Sequence, residues 1–94
     1  MSLLPIDLKR VPREEFHRQI LRAGIMAELD AVSLYEQLAA MARDELVRKA
    51  LLDIAREEKT HVGELLALLL KLDEEQAEGL KKGEEEIEAL RGSL

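Results

Sequence analysis

The sequence predicts an all-α protein, built on an antiparallel two-helix hairpin with a short C-terminal helix. Its 94 residues are 47% hydrophobic and 36% charged but only 2% aromatic, a balance typical of helical chains. Apolar residues also recur at helical spacing along two long segments, residues 20–42 and 44–72. Two long helices cannot enclose a core by themselves. We therefore expect burial to be completed by a third element or by a second copy of the chain.

Composition also excludes several classes of function. Without cysteine the chain has no disulfide, thiolate metal site or thiol nucleophile. The N-terminus does not resemble a signal peptide, and the longest apolar run, Leu65 to Leu70, is too short to span a membrane. The net charge of −6 disfavours nucleic acid and favours cations. We therefore expect a cytoplasmic protein that binds neither membranes nor nucleic acid.

The local signals divide the chain into three parts. Residues 1–12 hold both prolines and show no period, so we predict an extended N-terminal arm. The helical hairpin is predicted over residues 13–72, with Asp44 as the N-cap of its second helix after a short connection. Residues 73–94 are predicted to form a short C-terminal helix and tail, opened by a capping box at residues 73–76.

Two glycines interrupt the predicted C-terminal helix. Gly79 and Gly83 are poor helix formers, so residues 84–90 are predicted to be a separate short helix or a frayed end. The apolar residues of this part are loosely spaced, and we expect them to pack against another subunit or a partner.

Helix one carries two apolar stripes, whereas a helix on the outside of a monomer needs only one. The first stripe is Leu21, Ile25, Glu28, Val32, Tyr35, Ala39 and Ala42. The second stripe is Ile20, Gly24, Ala27, Ala31, Leu34, Leu38 and Met41. The pattern predicts a helix that is packed on more than one side, with a single acid, Glu28, in the first stripe.

Helix two has one predicted inward seam, with spacings that alternate between four and three residues. Its members are Val47, Leu51, Ile54, Glu58, His61, Leu65, Leu68 and Leu72. Glu58 and His61 interrupt an otherwise aliphatic seam, and such groups are costly to bury unless they are paired or bound to metal. Three residues apart, they lie one turn apart on the same helical face and can reach the same ion.

The position of Glu28 turns this pair into a candidate metal site. Glu28 lies fifteen residues before a turn near residue 43 and Glu58 fifteen residues after it. At about 1.5 Å rise per residue, both lie about 22 Å from the turn, so their carboxylates should face each other. Di-iron helix bundles take one Glu from each of two helices and one Glu-x-x-His from each of the other two. This chain supplies half of that set, which a two-fold dimer would complete. The oxygen-rich donors suit iron, with manganese or zinc as alternatives.

These residues carry a resemblance to a known family. Glu28, Tyr35 seven residues later, and Glu58-x-x-His61 resemble the ferroxidase half-site of the ferritin-like superfamily. The short chain resembles the encapsulated ferritins in particular. The resemblance implies a hairpin that dimerises into a four-helix bundle, a decameric ring of dimers, and a role as cargo of an encapsulin shell that stores the oxidised iron. It implies ferroxidase activity, oxidation of Fe(II) to Fe(III) by oxygen at a di-iron centre, inside an encapsulin nanocompartment.

The resemblance also implies roles for individual residues. Glu28 would be a bridging or terminal iron ligand, Glu58 a bridging ligand, His61 a terminal ligand and Tyr35 a neighbour of the ligands. The chain departs from the family pattern at Ala27 and Leu34, where relatives carry an acid and a Trp of auxiliary metal sites, although Asp30 stands where another acid of those sites is expected. The last three residues, 92–94, are faintly similar to the tail that docks cargo into encapsulin shells.

Two alternative functions remain open. One is a rubrerythrin-like di-metal peroxidase, but such proteins normally add a cysteine-bound iron, and this chain has no cysteine. The other is a non-catalytic helical assembly module, in which Glu58 and His61 form a hydrogen bond in a polar layer that fixes register. Metal content distinguishes the assembly module from the two enzymes, and the preferred oxidant distinguishes the enzymes from each other.

Overall fold

The computed structural model describes residues 7–94, and all regular structure within them is helical. Two short 3₁₀ turns, Leu8–Arg10 and Arg13–Glu15, precede three α-helices. These are α1, Phe16–Met41; α2, Glu45–Leu72; and α3, Glu74–Arg91. The all-α class is therefore confirmed. No helix in the described range is both long enough and apolar enough to cross a membrane.

The first two helices form the predicted hairpin. They pack against each other along their length, and α3 has far less contact with either. Residues 42–44 make the turn, in which the Asp44 side chain accepts a hydrogen bond from the Val47 backbone N–H at 2.9 Å. This satisfies one of the free N–H groups at the start of α2 and confirms the predicted N-cap.

The N-terminal arm is not extended where the structure describes it. Residues 1–6 lie outside the described part, but Leu8–Arg10 form a 3₁₀ turn. The Asp7 carboxylate accepts a hydrogen bond from the Lys9 backbone N–H at 3.1 Å, and the Arg10 N–H donates to the Asp7 carbonyl. Aspartate favours such a turn by bonding its own following backbone. Helical structure then resumes at Arg13, as predicted.

The two stripes of α1 differ in burial. Every member of the first stripe is half-buried or buried, and Ala39 is only 1% exposed. The second stripe is half-buried at its small residues, but its large members are exposed: Ile20, Leu34, Leu38 and Met41. The first stripe therefore packs on α2, whereas the large members of the second stripe leave an apolar surface on the outside of the hairpin.

The seam predicted for α2 is partly wrong. The most buried residues of this helix are Ala55 and Leu69, neither of which belongs to the predicted seam, whereas Val47, Leu68 and Leu72 are exposed. A strict seven-residue repeat drifts around a straight helix of 3.6 residues per turn. The face that meets α1 is therefore rotated away from the predicted seam towards Ala55 and Leu69.

The third helix is continuous, which corrects the expectation of a break after Gly83. Asp73 caps it by accepting a hydrogen bond from the Gln76 N–H at 3.1 Å, and acids fill its first turn. These features favour the helix by amounts comparable with the cost of two glycines. No residue of α3 is buried. The radius of gyration is 16.9 Å, against about 12 Å for a compact chain of this length, so the chain does not fold into a compact globule.

Two arginines of α1 hold the junction between α2 and α3. The Arg22 guanidinium donates to the Asp73 carboxylate, which is one of the buried groups of the chain. Arg18 donates from Nε to the Leu72 carbonyl at 2.9 Å. Asp73 thus accepts from both α1 and the start of α3, so it fixes the point from which α3 departs.

Candidate metal centre

Three side chains of the hairpin converge near its middle. The His61 Nδ1 atom lies 3.3 Å from Oε2 of Glu28 and 3.4 Å from Oε2 of Glu58. One donor atom from each residue lies within 4.8 Å of the others, and no other group of three potential ligands this close occurs among residues 7–94. The structure therefore brings together the three residues that the sequence predicts as metal ligands.

The elements explain why these residues meet. Glu28 belongs to the α1 stripe that packs on α2, and Glu58 and His61 lie one turn apart on α2. The short turn at residues 42–44 sets the alignment of the two helices. Glu28 and Glu58 accordingly lie in one layer of the hairpin, as the count from the turn predicted.

The cluster is more open than the sequence predicted. The side chain of Glu58 is 18% exposed, that of Glu28 26% and that of His61 47%. His61 was expected on an inward seam, but it lies at the rim of the hairpin contact because the α2 face that meets α1 is rotated away from that seam. One side of the cluster therefore faces outward, where further ligands from water, oxygen or another chain have access.

The charges of the cluster are unbalanced. Two carboxylates share a single imidazole, so the net charge is negative even when His61 is protonated. A cation placed between them would relieve the repulsion of the two acids. Carboxylate oxygen and imidazole nitrogen are donors for Fe(II), Mn(II) and Zn(II), with bonds of about 2.0–2.2 Å. Donors within 4.8 Å of one another can reach one such ion with small side-chain rotations. The residues present therefore fit a metal ion.

Tyr35 does not belong to this three-residue cluster. It is half-buried and lines a shallow pocket on the surface of α1, with Ala27, Asp30 and Leu34 among its neighbours. By the family resemblance, Ala27, Asp30 and Leu34 correspond to positions of auxiliary metal sites. The role of Tyr35 as a neighbour of the ligands stays a prediction.

One contact beside the cluster was not predicted. The Lys59 ammonium lies 3.3 Å from the Glu36 carboxylate across the hairpin. Both side chains are largely exposed, so this ion pair adds little to stability. In the sequence, only the opposite charges of Glu36 and Lys59 on two helices predicted to be adjacent could have suggested this ion pair.

The helical hairpin and its carboxylate-rich cluster define a ferritin-like protein. Residues 19–91 match the family model described as Rubrerythrin. The crystal structure of an encapsulated ferritin domain from Pyrococcus furiosus superimposes with a TM-score of 0.83 and 53% identity, over 98% of this chain and 96% of that one. A ferritin-like–encapsulin shell fusion protein from the same organism is 62% identical over 74 residues, or 79% of this chain. The chain belongs to the rubrerythrin family and, within the ferritin-like proteins, to the encapsulated ferritins.

The match to the fusion protein covers only one part of it. The aligned segment amounts to 21% of that relative, so this chain spans about a fifth of its length. The solved ferritin domain, in contrast, is matched almost completely. The similarity therefore concerns the ferritin-like part of the fusion protein.

Proposed function

We propose that this chain is a ferroxidase subunit, which oxidises Fe(II) to Fe(III) with oxygen at a di-iron site shared by two copies of the chain. The observation that carries the proposal is the convergence of Glu28, Glu58 and His61 within 4.8 Å. Two carboxylates and one imidazole are half of the ligand set of a di-iron helix bundle. A two-fold axis beside the cluster would supply the same three ligands from the partner.

The surface around the cluster supports pairing of two hairpins. The outward stripe of α1 exposes large apolar side chains, among them Leu34 at 49% and Met41 at 77%. His61 faces outward beside this hairpin contact. Packing a second hairpin there would form a four-helix bundle, bury apolar surface and place both half-sites in its core. We further propose that these dimers assemble into a decameric ring, as the resemblance to encapsulated ferritins implies.

In the proposed reaction the residues bind iron and stabilise its oxidised form. Two Fe(II) ions are the substrates, and each gives up one electron to dioxygen, which takes up two protons to reach the level of hydrogen peroxide. Glu28 and Glu58 hold the ions and stabilise the higher charge of Fe(III), since carboxylates favour the harder ion. His61 completes the ligand set on α2, and Tyr35 is proposed as a neighbour of the ligands.

We also propose an encapsulin shell as the partner. One relative is, by its name, a fusion of a ferritin-like protein with an encapsulin shell, and the solved relative is an encapsulated ferritin domain. This chain would then act as cargo inside a cytoplasmic nanocompartment, where the oxidised iron is stored and rendered harmless.

Metal analysis of Glu28→Ala tests the shared site. In the two-fold model the substitution removes two of the four carboxylates, too few remain to neutralise two Fe(II) ions, and we expect loss of one or both metals and of rapid oxidation. Glu36→Ala is the matched control, because Glu36 is an acid of the same helix that pairs with Lys59 across the hairpin. Wild-type metal occupancy in Glu28→Ala would refute the proposal.

Two further measurements separate the remaining functions. Glu58→Ala and His61→Ala should abolish rapid oxidation of Fe(II), followed by absorbance, while circular dichroism shows unchanged helical content. Wild-type rates in both variants would favour the assembly module. A faster reaction with peroxide than with oxygen in the wild-type protein would favour the peroxidase.

A further inference from the structure

Gly24 faces Leu65 across the hairpin with little room for a Cβ atom between them. A Cβ atom on Gly24 would lie 3.1 Å from Cδ1 of Leu65 and 4.0 Å from its Cδ2. Carbon atoms pack best at about 3.5–4.0 Å, so Leu65 or the helices would have to shift by a few tenths of an ångström. A Cβ atom at Gly63, Gly79 or Gly83 would meet no neighbouring side chain within 4 Å.

This contact lies next to the candidate metal centre on both helices. Gly24 precedes Glu28 by four residues, and Leu65 follows His61 by four residues. Residues four apart share a helical face, one turn or about 6 Å along the axis. The contact of Gly24 with Leu65 is therefore the neighbouring layer to the contact of Glu28 with His61.

We propose that Gly24 is a positioning residue: by letting Leu65 approach the α1 backbone, it sets the separation of α1 and α2 at which Glu28, Glu58 and His61 reach one metal ion. The proposal rests on the metal site proposed above, and in it Gly24 affects the geometry of that site without contacting the metal. The distance between two packed helices depends on the side chains at their contact, so the smallest residue permits the closest approach.

The size of the shift makes the effect measurable. Ligand distances in metal sites are held within about 0.2 Å of their preferred values. Helices and packed interiors are stiff, so a displacement one turn away is transmitted to the cluster. A shift of a few tenths of an ångström at Gly24 is thus comparable with this tolerance.

The low helix propensity of glycine supports this interpretation of the contact. Glycine in a helix interior is less favourable than alanine, because it loses more backbone freedom on folding. At Gly79 the same cost brings no close contact in return. Gly24→Ala and Gly79→Ala therefore make the same chemical change with and without a neighbour, and together they form a matched pair.

The test is a titration of the full chain with Co(II), followed by absorbance, beside thermal unfolding followed by circular dichroism. For Gly24→Ala we expect Co(II) affinity to fall by roughly tenfold. This is the lower end of the loss in affinity, about 10- to 100-fold, that follows when residues supporting the metal ligands are changed. Its melting temperature without metal should stay near that of the wild type, because the better helix propensity of alanine offsets the cost of the tight contact with Leu65. Gly79→Ala should bind Co(II) as the wild type does. A role in stability alone would instead lower the melting temperature and leave the affinity unchanged.

A compensating substitution keeps the result interpretable if Gly24→Ala folds poorly. Leu65→Val shortens the side chain that would meet the added Cβ atom. The double variant Gly24→Ala with Leu65→Val should therefore recover most of the lost Co(II) affinity. Leu65→Val alone serves as its reference. Recovery of helical content without recovery of affinity would overturn the proposal.

Glu28→Ala, titrated in parallel, distinguishes failure of this inference from failure of the proposed site. Unchanged Co(II) binding in Glu28→Ala overturns the metal site and the inference with it. Weakened binding in Glu28→Ala with wild-type binding in Gly24→Ala overturns the role of Gly24 alone.

Discussion

At one end of the hairpin Arg22 donates to Asp73, and near its middle His61 lies between Glu28 and Glu58. The first contact joins one cation to one anion, and the Asp73 side chain is 9% exposed. The second joins one imidazole to two acids and leaves the imidazole about half exposed. Both contacts link α1 to a later part of the chain.

The difference indicates what each contact does. Asp73 has a charged partner and a backbone donor, so its charge is satisfied within the chain. The two acids beside His61 are not balanced within the chain and gain from an added cation. The first contact therefore belongs to the stability of the fold, whereas the second has the unbalanced charge that the proposed metal binding requires.

Removing Asp73 should cost the most stability. Asp73→Ala loses an N-cap, worth about 1 kcal/mol, and a charged hydrogen bond to Arg22, worth about 2 kcal/mol, so the free energy of unfolding should fall by about 3 kcal/mol. Urea unfolding followed by circular dichroism at one protein concentration measures it. Asp53→Ala is the control, because the ion pair of Asp53 with Arg56 is exposed and should contribute less than about 0.5 kcal/mol. Equal losses in the two variants would contradict the structural role of Asp73.

Metal should stabilise assembly through the second contact only. If each site is shared by two chains, metal binds the dimer and not the monomer, and it should add about 2.7 kcal/mol per site at a free metal concentration of 100 times the dissociation constant. Sedimentation of the protein with Co(II), and again after a chelator, measures the shift. Asp73→Ala should still respond to Co(II), whereas Glu28→Ala should not. An assembly state unaffected by metal at low protein concentration would contradict this prediction.

Without metal, the two sides of the cluster should affect stability in opposite directions. Glu58→Gln removes one of two repelling charges at nearly constant shape, so the metal-free protein should gain up to about 1 kcal/mol. His61→Ala removes the imidazole that both acids contact and should cost about 1 kcal/mol. Thermal unfolding in a chelating buffer compares the two variants. Added salt should reduce the difference in their stability, because salt screens exposed charges. Changes of the same sign would contradict the charge imbalance.

Much of the fold and the convergence of the three candidate ligands could be predicted from the sequence, because both depend on local spacing. The periods of α1 and α2, the N-caps Asp44 and Asp73, and a short turn suffice to align Glu28 with Glu58. These signals lie within one or two turns of helix, where geometry is nearly fixed.

The remaining features depend on contacts between distant residues. Arg22 and Asp73 are 51 residues apart, and no local pattern marks their pairing. The exposure of His61 depends on which face of α2 meets α1, and a repeat of spacings of three and four fits two adjacent faces nearly equally well. The continuity of α3 through Gly79 and Gly83 depends on a balance of small energies that composition does not resolve.

The turn at residues 42–44 also has a consequence for how quickly a site of this kind can form. Glu28 and His61 are 33 residues apart, yet almost all of the intervening chain is helix. Helical hairpins with short loops have mainly local contacts and fold among the fastest proteins, in microseconds to milliseconds. The cluster of Glu28, Glu58 and His61 can therefore form within a single chain soon after synthesis, at a rate independent of protein concentration. If the proposed site is shared by two chains, joining its halves is a second-order step, so the rate at which complete sites appear should rise with the square of the chain concentration.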